Sequence, residues 1–140
     1  LAFTGNYTCN VFKTGLMNGT FNFTSGTFKI ALYTNAASLD ATTTAYTATG
    51  ETTGGNYSAG GQNLTITQVP TVNGGTTAYI NFANAVWSGS ITARGALIYQ
   101  SGSGNPAVCV LDFGNDKISS STFTVQFPAN GNTSSIIRIA

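Results

Sequence analysis

Few side chains in this chain can do chemistry. It has no histidine, so the usual general base and the commonest metal ligand are both missing. Four carboxylates remain, Asp40, Glu51, Asp112 and Asp116. Glycoside hydrolysis needs two carboxylates facing each other across a cleft. Asp112 and Asp116 instead flank a turn signal, Gly114-Asn115-Asp116, where short acidic side chains hold the turn's backbone. A weak calcium loop of Asp112, Asn115 and Asp116 is the sharper reading, but it lacks the ligand count and glycine placement of such loops. Asp112-Phe113-Gly114 spells the metal-binding triplet of kinases with no catalytic or phosphate loop beside it. Ser101-Gly102-Ser103-Gly104 lacks the Gly-Lys-Ser/Thr ending of a phosphate loop and reads as a hairpin. The expectation is a non-enzymatic chain with no catalytic residues, no metal and no cofactor.

The remaining candidates concern binding. Cys9 and Cys109 lie a hundred residues apart. A disulfide and two buried thiols both remain open, with Cys109 inside the apolar run Ala107-Val108-Cys109-Val110-Leu111. Trp87 and six tyrosines could stack on sugar rings, against the plainer expectation that Trp87 fills one end of the core. Arg94 is the one charge in Ile91-Thr92-Ala93-Arg94-Gly95-Ala96-Leu97-Ile98-Tyr99. It is either a solvent-side arginine paired with Asp112 or Asp116, or a contact between subunits. Asn-x-Ser/Thr sequons such as Asn6-Tyr7-Thr8 are expected by chance in so Asn- and Thr-rich a chain.

The elements that must position these residues follow from composition. At 140 residues the chain is the size of one domain. Thr, Gly, Asn and Ser supply 66 of those residues and only 6% are charged, which describes many short strands joined by tight turns. The five Lys and Arg are scattered and the net charge is +1, so no nucleic-acid partner is expected. No apolar run approaches the roughly 18 residues of a membrane helix, so no membrane span is expected.

Strands are expected at Thr27 to Thr34, Leu64 to Val69, Thr77 to Phe82, Ile91 to Tyr99, Ala107 to Phe113, Thr122 to Phe127 and Ile136 to Ala140. Asn35 to Gly55 reads as a long surface loop with few core candidates and at most one weak strand around Thr44 to Thr49. The pattern predicts an all-β fold, an antiparallel β-sandwich of jelly-roll or immunoglobulin-like type over residues 27–140. Residues 1–26 read as an extended N-terminal arm and one short helix, with Asn10 as its N-cap and Val11, Phe12, Leu16 and Met17 at helical spacing.

The order of Phe28-Lys29-Ile30-Ala31-Leu32-Tyr33, Tyr57-Ser58-Ala59-Gly60-Gly61, Thr92 to Tyr99, Ala107 to Gly114, Phe123 to Pro128 and Ile136-Ile137-Arg138-Ile139 resembles a family of small structural proteins encoded by tailed bacteriophages. The resemblance runs from about Thr27 to the C-terminus. It implies a virion component and supplies no catalytic residues.

Three functions follow as expectations. The first is a capsid decoration or cement protein on the capsid exterior, partnered by the major capsid protein and by copies of itself. Its anchors would be Leu1, Phe3, Tyr7, Phe12, Leu16 and Met17, with Arg94 as a further contact. The second is a tail- or head-fibre adhesin meeting a host glycan, which calls for an aromatic platform facing solvent. The third is a secreted carbohydrate-binding module.

Overall fold

The computed structural model describes residues 3–140. Ten strands and one helix follow in chain order: β1 (Tyr7–Thr8), α1 (Asn10–Asn18), β2 (Thr27–Tyr33), β3 (Gln62–Asn63), β4 (Ile66–Val72), β5 (Ala78–Phe82), β6 (Ala85–Ser88), β7 (Thr92–Ser101), β8 (Ala107–Ile118), β9 (Thr122–Val125) and β10 (Ile137–Ile139). All pairings between strands are antiparallel. One layer is a five-stranded sheet in the order β1-β8-β7-β2-β3. The other is divided into β10-β5-β4 and β6-β9. The fold is all-β and sandwich-like.

The alternation in β2 explains the layering. Phe28, Ile30 and Leu32 share one face, and Phe28 meets Phe82 of β5 with ring centroids 6.1 Å apart. This face therefore looks across the sandwich. Lys29, Ala31 and Tyr33 share the opposite face, yet Ala31 and Tyr33 are as fully buried as their neighbours. Their cover is residues 34–61, of which Asn35 to Gly55 were expected to form a surface loop. Ala37 and Leu39 of that segment are core residues. The Tyr33 hydroxyl donates to the Thr47 carbonyl (2.7 Å), and the rings of Tyr46 and Tyr99 stack at 5.0 Å. Backbone bonds from Thr52 N–H to the Leu32 carbonyl and from Ala107 N–H to the Thr44 carbonyl fix it along both margins. The segment is irregular because its main chain bonds to scattered points of the sheet rather than to one strand.

The first residues also depart from an extended arm. Phe3 is buried against Gly95, where an added Cβ would stand 2.4 Å from the Phe3 ring. β1 pairs with β8 in the register Tyr7↔Val110 and Thr8↔Cys109. The helix begins one residue earlier than expected. Cys9 takes the N-cap position in extended conformation without a side-chain cap, and Asn10 is the first helical residue. Phe12, Phe21 and Phe23 join the core, and Phe23 stacks on Phe28 at 4.3 Å. Burying each such ring contributes about 1.5–3 kcal/mol, which outweighs leaving them on a projecting arm.

One expected turn and one short strand differ from the sequence reading. The Gly114-Asn115-Asp116 signal does not end its strand. β8 continues to Ile118, and the register passes from Gly95↔Asp112 to Ala93↔Lys117, so residues 113–116 form a bulge with Gly114 at φ 87°. β6 escaped the sequence reading because it is only four residues long, although its alternation is clean, with Ala85 and Trp87 buried and Val86 and Ser88 exposed. Among the described residues no helix is long and apolar enough to cross a membrane.

Candidate functional site

A dense polar cluster is built around Glu51, which follows Gly50 within the covering segment. Its Oε1 accepts the Tyr46 hydroxyl (2.7 Å); its Oε2 accepts the Tyr57 hydroxyl (2.5 Å) and the Gly60 amide (2.8 Å). The Tyr57 oxygen in turn accepts the Leu32 amide of β2 (2.9 Å), and the Tyr99 hydroxyl donates to the Gly60 carbonyl (2.6 Å). Burial, with the Glu51 carboxylate second, pushes the Tyr46 hydroxyl up to about 12 and Tyr57 further still. Burial likewise raises Tyr99 to about 12. Such phenols stay neutral donors at ordinary pH. The arrangement is a latch holding residues 34–61 onto the sheet.

Asp40 and Asp112 are also engaged. Asp40 accepts the Thr42 amide and hydroxyl, which hold it below the usual carboxylate range. Asp112 Oδ1 accepts the Gly114 amide (2.8 Å) and Arg94 Nε (3.1 Å), and these hold its carboxyl low, the amide most strongly. That oxygen is the natural ligand of the calcium loop considered from sequence, and it is spent on the bulge. Among the described residues no three Cys, Asp or Glu side chains converge.

Arg94 therefore pairs with Asp112, as one of its two readings expected, and its guanidinium sits 6.0 Å from the Phe3 ring centroid. It fastens the first residues to the bulge of β8.

The two thiols are free and buried. The register places Thr8 opposite Cys109, so Cys9, one residue further, projects to the opposite face of the sheet and contacts the Asp40 carbonyl. The two sulfurs thus lie on opposite sides of the β-layer, which rules out a bond between them in this fold. Burial raises Cys9 to about 11 and Cys109 to about 12, so neither is a thiolate nucleophile. Trp87 is 3% exposed, packed between Tyr57 and Phe123, and fills the core rather than a sugar platform.

The anchors expected for a partner separate into two groups. Leu1 lies outside the described residues. Phe3 and Phe12 are buried in the chain's own core and are not free to anchor anything else. Tyr7 is half-buried at the edge of the five-stranded sheet, its hydroxyl bonded to Thr4. Leu16 and Met17 remain on the surface, Met17 at 83% exposure.

Tyr7 and Leu16 line a groove on the flank where β1 and β8 face β10. The groove has a volume of about 640 Å³, and its lining includes Leu16, Leu111, Ile137 and Ile139. A second groove of about 520 Å³ adjoins it through Asn6, Leu111 and Ile136 and runs between β8 and β9.

Sequence reasoning missed both the latch and the flank. Glu51 has tyrosines five residues before and six after it, a visible signal in a chain so poor in acids. The flank had no signal, because it is made by chain segments that are adjacent only in the fold. No known protein family, curated protein or solved structure matches the chain.

Proposed function

We propose that this chain is a non-enzymatic structural subunit of a tailed-bacteriophage virion, a decoration or cement protein that packs onto the outer surface of the capsid. The observation that carries the reading is the character of what remains exposed. The large apolar residues on the surface are Leu16, Met17, Val69, Val72, Val86, Ile118 and Ile139, all of them non-aromatic, and two border the open flank. Exposed aliphatic surface beside strand edges suits association with another protein. Asp40, Glu51 and Asp112 are meanwhile spent on internal bonds.

The fibre-adhesin and sugar-binding alternatives need aromatic faces in solvent. Trp87 is buried, and no tyrosine or phenylalanine is among the exposed large apolar residues described. The virion assignment itself rests on the sequence resemblance, and the surface chemistry is compatible with it. The test is co-sedimentation of the purified protein with capsids of the encoding phage from which the gene has been deleted. Saturable binding with slower capsid disruption on heating is expected. Protein left wholly in the supernatant contradicts the proposal.

A further inference from the structure

We infer that the open flank is a slot for one added strand, taken by an extended segment of a different protein in which apolar residues alternate with acidic ones. This deepens the reading above and rests on its claim that the flank is a contact surface, though not on the virion location.

The two sides of the sandwich are closed differently. On one side the layers are joined covalently: β3 passes into β4 through Leu64 and Thr65 alone, and its chain changes sheet there. On the other side the edge strands β1 and β10 are not linked in sequence, and the crossing from β8 to β9 through residues 119–121 lies well past the β1 pairing at Cys109 and Val110. β1 ends the five-stranded sheet and β10 ends the three-stranded sheet, and both line the same groove. The flank therefore has the form of a sandwich lacking one strand.

The edges differ in how they are protected. An unpaired edge offers rows of N–H and C=O groups to any passing strand, and proteins commonly blunt such edges with proline and bulges. The opposite edge of the same sheet, β4, has both: Pro70 lies in it, and its register with β5 shifts twice. β10 has neither; Ile137, Arg138 and Ile139 pair with β5 in unbroken register. The edge facing the groove is the one left receptive.

Charge identifies the occupant. Lys13 and Arg138 line the groove and no carboxylate side chain does. An added strand turns alternate side chains to opposite faces. One set would meet Leu16, Leu111, Ile137 and Ile139; acidic residues in the other would reach Lys13 and Arg138. A second copy supplies no such segment among its described residues: Asp112 is tied to Arg94, Glu51 to its tyrosines and Asp40 to Thr42, and Asp116 lies in the β8 bulge rather than in an alternating extended run.

The experiment is titration of the isotopically labelled protein with a short synthetic peptide alternating valine and glutamate, followed by amide NMR and hydrogen exchange. The expected result is shifts and new exchange protection confined to Tyr7, Thr8, Ile137, Arg138 and Ile139. A valine–lysine peptide should bind about tenfold more weakly at low salt, and Arg138→Gln should narrow that gap. Equal binding of both peptides, or shifts elsewhere or nowhere, would overturn the inference. So would protection of the same amides that grows with protein concentration alone, which would mean a second copy fills the slot. Capsid binding without any peptide effect would sink the strand slot and leave the virion reading standing. Peptide binding without capsid binding would do the reverse.

Discussion

Replacing Glu51 with alanine tests whether the most chemically suggestive carboxylate is structural. The substitution removes the acceptor for three donors, the Tyr46 and Tyr57 hydroxyls and the Gly60 amide. A donor stranded away from water costs about 1–3 kcal/mol. The cluster is half-buried, so water re-solvates part of it, Tyr46 most readily. The Tyr57 oxygen also keeps the Leu32 amide. The loss in unfolding free energy should then be about 3–5 kcal/mol, a large share of the roughly 5–15 kcal/mol typical of a domain. Glu51→Gln keeps the length and one acceptor oxygen, and should cost about 1–2 kcal/mol. The assay is urea denaturation followed by tryptophan fluorescence, with Trp87 as the single reporter, reading the midpoint at constant slope. A second readout is amide exchange in residues 34–61, which should quicken in Glu51→Ala before the rest of the fold does. If Glu51→Ala costs less than about 1 kcal/mol, the latch argument is refuted and the carboxylate is free for another role.

Other predictions follow from particular contacts. Gly15→Ala would normally help a helix by about 0.8–1 kcal/mol. Here its Cβ would meet the Phe21 ring at 2.4 Å, so the thermal midpoint should fall by an amount equivalent to about 1–3 kcal/mol. Stability should decline as pH rises from 10 towards 12. Tyr46 and Tyr99 titrate near 10 when unfolded and at about 12 when folded, so across that window the native state holds the protons the unfolded chain releases; pH-jump fluorescence checks this. Cys9 and Cys109 should label slowly with a thiol reagent in the native state and quickly in urea. Neither should lose its hydrogen to a mutual disulfide under mild oxidant, as intact-mass measurement would show.

The legible part of the fold was the part with a period. Phe28, Ile30 and Leu32 in β2 alternate with polar or small residues, and so marked a strand that the structure places at Thr27–Tyr33. β5 and β9 were found in the same way, each close to its observed bounds. What failed to show was burial of irregular chain. Ala37 and Leu39 sit in a Thr- and Ala-rich stretch without periodicity, and their burial depends on a sheet face that only tertiary packing leaves uncovered. The first residues misled for the related reason that Phe3, Phe21 and Phe23 lie outside any strand or helix, and their burial with Phe12 of α1 depends on tertiary packing. Their number alone, four of nine phenylalanines in the first 26 residues, was a sign of core. The Gly114 signal was read as a turn that ends the strand, whereas a bulge uses the same positive-φ glycine without ending it. Of the candidate site, Arg94 with Asp112 was readable from charge scarcity. The grooved flank was not, since β1, β8 and β10 meet only after folding.

The central claim, that the chain is a repeated structural component of a virion, is tested most directly by its copy number in purified particles of the encoding phage. Quantitative mass spectrometry against the major capsid protein supplies the ratio. A ratio near one copy per capsid subunit, or a fixed simple fraction of it, is the predicted result. A few copies per particle would contradict the lattice-wide decoration role and move the protein to the tail or a fibre, and absence from particles would contradict the virion assignment altogether.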